Sequence, residues 1–244
     1  MREDLVFGRN SVLEALRSGT PIDRIYLLEG SGDGPLLSIN REAAKRGIPV
    51  RFVSRKRLDE MTENASHQGA CAQGAAHAYG SVEDILNLAK ERGEDPFLIL
   101  LDGIEDPHNL GAVLRTANLA GAHGLIIPKD NACPLTGAAA KTSAGAVNYT
   151  PVAKVTNLVR TMKELKKKGI WFVGGDLQGK EMYSLDLKGP IGLVIGSEKK
   201  GLSRLVREEC DLLAAIPMKG QIDSLNASVA AGILCYEIYR QRWG

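Results

Sequence analysis

Two rhythms of apolar and polar positions run along the chain. In the first 80 residues, helical patterns closed by glycine alternate with short apolar runs. "GRNSVLEALRSG" reads as a capped helix ended by Gly19, "RIYLLEG" as a strand, "LLSINREAAKRG" as a helix ended by Gly47 and "IPVRFVS" as a second strand. The stretch 66–81, "SHQGACAQGAAHAYGS", is rich in glycine and alanine, and is predicted to end this unit and open a linker. "SVEDILNLAKERG" follows as a bridging helix. The organisation expected is a small α/β domain over 1–78, a linker with its helix over 79–95, and a second domain over 96–244.

From Pro96 the rhythm changes to apolar strands alternating with helices, the pattern of a mostly parallel sheet. The strands read here are "FLILLD", "GLIIP", "YTPVAKV", "WFVGGD", "IGLVIG" and "LLAAIPM". Helices are predicted over 109–120, 157–168, 202–209 and 224–241, the last apolar on most sides.

Composition narrows the picture. With 244 residues, 44% hydrophobic and 25% charged, the chain suffices for one large or two modest folded domains. The opening 20 residues are too polar and acidic for a signal peptide, and no apolar run reaches the length of a membrane span, so a cytoplasmic location without a membrane partner is expected. Cys71, Cys133, Cys210 and Cys235 lie far apart without a CxxC; buried reduced thiols and no metal site are expected. A net charge of +2 gives no global argument for nucleic acid, but Arg41, Lys45, Arg46, Arg51, Arg55, Lys56 and Arg57 cluster against a single acid, Glu42. That cluster is a candidate phosphate-tracking surface, although a solvated helix face would look the same.

Two familiar glycine patterns fail on inspection. "GGDLQGKE" spaces Gly174, Gly179 and Lys180 like a phosphate loop, yet Glu181 occupies the place of the hydroxyl that would hold magnesium. "FLILLDGIEDPHNLG" lacks the dinucleotide fingerprint. What remains is three loops, each after an apolar strand: "DGIEDPHNLGAVLRTA", "GSEKKGLS" and "PMKGQIDSLNASVAAGI". Each joins glycine to polar side chains that a plain turn does not require, and ligands of parallel sheets bind at the carboxyl ends of strands.

Asn109-x-Gly111 with Arg115, Gly196-x-Glu198-x-x-Gly201, and Pro217-x-x-Gly220 with Ser224-Leu225-Asn226 resemble, in order and spacing, the three motifs of the SpoU (TrmH) branch of the SPOUT RNA 2′-O-methyltransferases. "KTSAGAVNYTPV", "YLLEG" and "HQGA" extend the likeness over nearly the whole chain. The resemblance implies an α/β fold: a mostly parallel SPOUT sheet knotted as a trefoil, preceded by a small ribosomal-protein-like α/β domain that binds substrate RNA. It also implies a homodimer, with the last helix at the interface through small residues such as Ala227, Ala230, Ala231 and Gly232.

The implied cofactor is S-adenosylmethionine, held by Gly196, Gly201, Ile216, Met218, Ser224 and Leu225. The implied catalytic set is Asn109, Arg115, Glu198, Ser224 and Asn226. A guanidinium stays protonated in proteins, so Arg115 is expected to bind a flanking phosphate and offset charge on the ribose oxygen rather than act as a literal base. Glu198 is expected to hold the fork of that arginine. Asn109 reads as preceding the helix start, and Ser224 and Asn226 as caps of the last helix. The implied substrate is ribosomal RNA, with a guanosine in 23S rRNA as the leading target. A tRNA, an rRNA uridine or adenosine, and a non-catalytic RNA-binding relative are the alternatives.

Overall fold

The computed structural model describes residues 5–31 and 34–244. It divides into two compact units, one of Met1–Ala78 with Pro134–Gly137 and one of Tyr79–Cys133 with Ala138–Gly244.

The first unit carries a four-stranded sheet. Its elements in chain order are β1 (Leu5–Phe7), α1 (Arg9–Arg17), β2 (Ile22–Leu28), α2 (Gly34–Lys45), β3 (Val50–Val53), α3 (Arg55–Met61) and β4 (Ala70–Gly74), and the strand order is β1-β4-β2-β3. The helices form where apolar residues recur at helical spacing: Val12 and Leu16 on α1, and Leu36, Ile39 and Ala43 on α2, pack against Ile25 and Leu27 of β2. The stretch expected to open a linker contains β4, which lies between β1 and β2 and pairs antiparallel with both. Its residues Ala70, Cys71 and Ala72 are buried; small side chains suit a strand covered by helices, because packing sets strand preference more than propensity does. Ser54 caps α3 by accepting from the Arg57 amide at 3.3 Å.

The second unit contains α4 (Val82–Arg92), β5 (Phe97–Asp102), α5 (Pro107–Leu119), β6 (Gly124–Pro128), α6 (Gly137–Thr142), β7 (Val152–Val155), α7 (Leu158–Lys166), β8 (Trp171–Glu181), β9 (Ile191–Gly196), α8 (Arg204–Glu209), β10 (Leu212–Ala215) and α9 (Ala227–Trp243). The six strands run in the order β10-β8-β9-β5-β6-β7, every neighbouring pair parallel. Strands buried on both faces read as unbroken apolar runs, which is why "FLILLD" and "IGLVIG" are so legible. α4, expected as a bridging helix, places Ile85 in this unit's core with Leu98, Ile126, Met162 and Phe172. A Ser81–Asp84 capping box starts it and Gly93, in the left-handed region, ends it. α6 has no counterpart among the helices expected from sequence. β8 runs past the expected "WFVGGD" to Glu181. No disulfide joins Cys71, Cys133, Cys210 or Cys235; Cys71, Cys133 and Cys235 are buried, and burial pushes the Cys235 thiol up to about 12. Among the described residues no helix is long and apolar enough to cross a membrane.

Candidate active site

The sheet reverses its order between β5 and β9: the chain runs outward from β5 through β6 and β7, whereas β8 and β10 lie on the far side of β9. Such a switch point leaves a crevice at the carboxyl ends of the strands. The loops after β5 and β9 carry the first two sequence motifs, and the loop after β10 carries the third. Asp102, ending β5, accepts from the Ser203 amide at 2.6 Å and so ties the first loop to the start of α8.

One network joins all three loops. The Asn109 side-chain amide donates to Glu198 Oε1 at 3.0 Å, and the Asn226 amide donates to Asn109 Oδ1 at 3.0 Å. Asn226 Nδ2 also donates to Glu198 Oε1, which accepts in addition from the Ala227 amide at 3.3 Å. Asn109 is buried, so its pairing on both amide atoms matters: an unmatched polar group there would be costly. The position of Asn109 differs from expectation. The helix starts earlier, with Asp106 as cap accepting from the His108 amide at 3.1 Å and Pro107 in the first position, which puts Asn109 inside the first turn of α5 with its side chain turned inward. Gly111 is required by packing, since a Cβ would stand 2.5 Å from the carbonyl oxygen of Ala139 on α6. At α9 the cap is Asn226 alone, with Oδ1 accepting from the amides of Ser228 at 2.9 Å and Val229 at 3.3 Å; Ser224 lies outside the helix and is exposed. Asn226 thus caps with its oxygen and cross-links with its nitrogen.

Beside this network lies a cleft of about 490 Å³, the size of small-molecule sites. Gly196, Gly201, Ile216, Met218, Ser224 and Leu225, named from the sequence for the cofactor, all line it, with Ala230 and Leu234 of α9 adding apolar surface. Gly196 is held by close approach: a Cβ there would run into the backbone of Gly201 and Leu202. Gly201 has φ 63° and closes a tight turn, with Ser197 and Gly201 exchanging backbone bonds of 3.1 and 2.8 Å. The walls therefore offer main-chain polar groups and small or apolar side chains, a combination that suits an adenine nucleoside.

Sequence reasoning missed another wall. Asp176, Leu177 and Gln178 of β8 and Arg207 of α8 also line the cleft. The three β8 residues belong to "GGDLQGKE", the stretch that fails as a phosphate loop; its glycines are the signal, and they serve a strand irregularity.

Arg115 stands apart from the network. It is exposed on α5, and no hydrogen bond or ion pair of its side chain is present among the described residues. Glu198, expected to hold its fork, makes no hydrogen bond or ion pair with it among the described residues, and its Oε1 accepts from Asn109, Asn226 and the Ala227 amide. In the first unit Arg41, Arg55 and Lys56 are exposed, whereas Glu42 pairs with Lys45 at 3.5 Å and Arg46 at 3.1 Å, and Glu60 pairs with Arg57 at 3.3 Å. Arg46 also donates to the Leu16 carbonyl. Arg51 is exposed on β3.

The sequence profile of the SpoU rRNA Methylase family matches residues 96–236, and that for RNA 2′-O ribose methyltransferase substrate binding matches residues 5–80. The chain is 47% identical over 242 residues, 99% of its own length and 97% of the relative's, to the TrmH-family protein YacO of Bacillus subtilis. It is 45% identical over 244 residues, 99% and 98% of the two chains, to the 23S rRNA (guanosine-2′-O-)-methyltransferase RlmB of Shewanella oneidensis. Among solved structures, an AdoMet-bound rRNA methyltransferase from Sinorhizobium meliloti superposes with a TM-score of 0.59 at 26% identity, covering 98% of this chain and 87% of that one.

Proposed function

The chain belongs to the SpoU rRNA methylase family, an S-adenosylmethionine-dependent family of RNA 2′-O-methyltransferases, and from that premise we propose that its target is a guanosine ribose in 23S rRNA. The finer target is supported by 45% identity to RlmB along the whole chain. The observation that carries the catalytic reading is the single network of Asn109, Glu198 and Asn226 beside a nucleoside-sized cleft.

When bound, S-adenosylmethionine supplies a methyl group activated by its sulfonium. Gly196, Gly201, Ile216, Met218, Ser224 and Leu225 would hold it, the glycines by main-chain bonds and the apolar residues by packing against adenine. Asn109, Glu198 and Asn226 lock the three loops to one another, so that the site is set before the RNA arrives. Arg115, exposed and uncommitted, takes the phosphate flanking the target and offsets charge building on the 2′-oxygen, while the hydroxyl proton leaves to that phosphate or to water. The first unit holds the RNA, with the exposed Arg41, Arg51, Arg55 and Lys56 tracking phosphate.

The same proposal includes the trefoil knot at the carboxyl-terminal part of the sheet, a cytoplasmic setting and a homodimer. For the dimer the support lies in α9. Its small residues Ala227 and Ala231 are buried within the unit and Gly232 faces Thr116 of α5, leaving an aromatic strip for a second copy. Tyr236, Tyr239 and Trp243 are 49%, 40% and 44% exposed with ring separations of 5.8 and 5.3 Å.

Arg115→Ala tests the assignment. Methyl transfer is expected to fall by about a hundredfold or more, while calorimetry gives an unchanged affinity for S-adenosylmethionine. Transfer at the wild-type rate would remove Arg115 from the mechanism.

A further inference from the structure

β8 leaves its ladder with β10 for five residues. Gly174 pairs with Leu213, but the next position of β10, Ala214, pairs with Lys180, so residues 175–179 have no partner there. A bulge of this kind re-aims side chains, often beside a functional site. Here it turns Gly175, Asp176, Leu177 and Gln178 toward the cleft. Gly179 closes the bulge against β10 so tightly that a Cβ would lie 2.5 Å from the Leu213 carbonyl carbon and oxygen.

The bulge is fastened from α8. Arg207 Nε donates to Asp176 Oδ2 at 2.7 Å and Arg207 Nη2 to Gln178 Oε1 at 3.3 Å, while the Gln178 amide donates to Asp176 Oδ1 at 2.8 Å. The Asp176 side chain is only 15% exposed. Burial pushes its carboxyl up, but the Arg207 guanidinium and the Gln178 amide more than offset this and hold it below the ordinary carboxylate range. It is therefore ionised at neutral pH, and each oxygen has one lone-pair position used and one left.

Resting on the cofactor reading above, we propose that Asp176 is a specificity-determining residue, accepting one hydrogen bond on each carboxylate oxygen from the 2′- and 3′-hydroxyls of the cofactor's ribose. The chemistry selects this partner. The carboxylates lining the cleft are Asp176 and Glu198, and Glu198 Oε1 is already occupied by Asn109, Asn226 and Ala227. The charge of Asp176 is balanced by Arg207, so a second cation such as an ammonium gains little, whereas a neutral pair of donors gains both bonds. A cis-diol presents two hydroxyls at the spacing of two carboxylate oxygens. Arg207 and Gln178 act through Asp176 as positioning residues.

Calorimetry with S-adenosylhomocysteine and its 2′-deoxy and 3′-deoxy counterparts tests this without any step of catalysis. The wild-type protein is expected to bind each deoxy ligand about tenfold more weakly than the parent, the loss typical of a hydrogen bond to a charged group. In Asp176→Asn the ratio is expected to shrink to below about threefold. Asp176→Glu keeps the pairing with Arg207 but moves the carboxylate by one methylene, and is expected to narrow the ratio as well; it decides the question if Asp176→Asn fails to give a cooperative melt. Equal binding of parent and deoxy ligands by the wild type, or a wild-type ratio in a folded variant, overturns the proposal and leaves the cofactor reading intact. Failure of the wild type to bind any of the three ligands overturns both.

Discussion

Removing the Asn226 side chain should separate two contributions that the structure places on one residue. Asn226→Ala deletes the cap bonds from the Ser228 and Val229 amides, a loss of about 1 kcal/mol. It also deprives the buried Asn109 Oδ1 of its donor, costing about 1–3 kcal/mol for an unsatisfied buried acceptor. The second unit should lose about 2–4 kcal/mol in all. Asn226→Ser keeps a cap oxygen but cannot reach across to Asn109, so it should lose the second part alone, about 1–3 kcal/mol. Asn226→Asp keeps the cap and sets a negative charge against Glu198 Oε1, and should fall below the serine variant. Denaturant unfolding followed by tryptophan fluorescence is the assay, since Trp171 and Trp243 both lie in the second unit. Methyl transfer should fall in the same order, because the loops lose their common tie. Wild-type stability in Asn226→Ser would refute the reasoning, since the cross-links would then contribute nothing beyond the cap.

Two further substitutions address the cleft and the core. Gly196→Ala puts a Cβ into the backbone of Gly201 and Leu202, so cofactor affinity should fall at least tenfold, measured by calorimetry; unchanged affinity would show that the turn yields freely. His123 is fully buried, with Nδ1 accepting from the Phe97 amide at 3.0 Å and Nε2 donating to Glu94 at 3.1 Å, a pairing that only the neutral ring satisfies. Burial outweighs the pull of Glu94 and lowers its pKa below the ordinary 6.5. The stabilisation is therefore complete above about pH 6.5 and declines as the pH falls below it. Denaturation midpoints from pH 7.5 to pH 5 should decrease in the wild type and less steeply in His123→Gln; identical slopes would assign the decline elsewhere.

How much was legible in the sequence follows from what each residue has to report. β5 and β9 announce themselves because both faces are buried and every position is apolar, and the loops after them inherit that certainty. β4 does not announce itself as a strand because Ala70, Cys71 and Ala72 contribute almost no bulk, though their place between β1 and β2 makes them core. Asn109, Glu198 and Asn226, grouped by motif spacing, share one hydrogen-bond network, while their detailed pairing was not legible: Pro107 and the Asp106 cap move the helix start back, so Asn109 bonds inward to Glu198 Oε1. The bulge at 175–179 was invisible, since glycines that permit a close backbone approach look like glycines that bind phosphate. Pairwise spacing along the chain carries no record of which strand lies across the sheet.

The most direct test of the central claim is transfer of a labelled methyl group from S-adenosylmethionine to 23S rRNA transcripts by the purified protein, followed by nuclease digestion and mass spectrometry of the nucleosides. The account predicts label on 2′-O-methylguanosine at a single site, lost in Arg115→Ala. Label on a base, or no transfer to ribosomal RNA or tRNA while S-adenosylmethionine still binds, would contradict it.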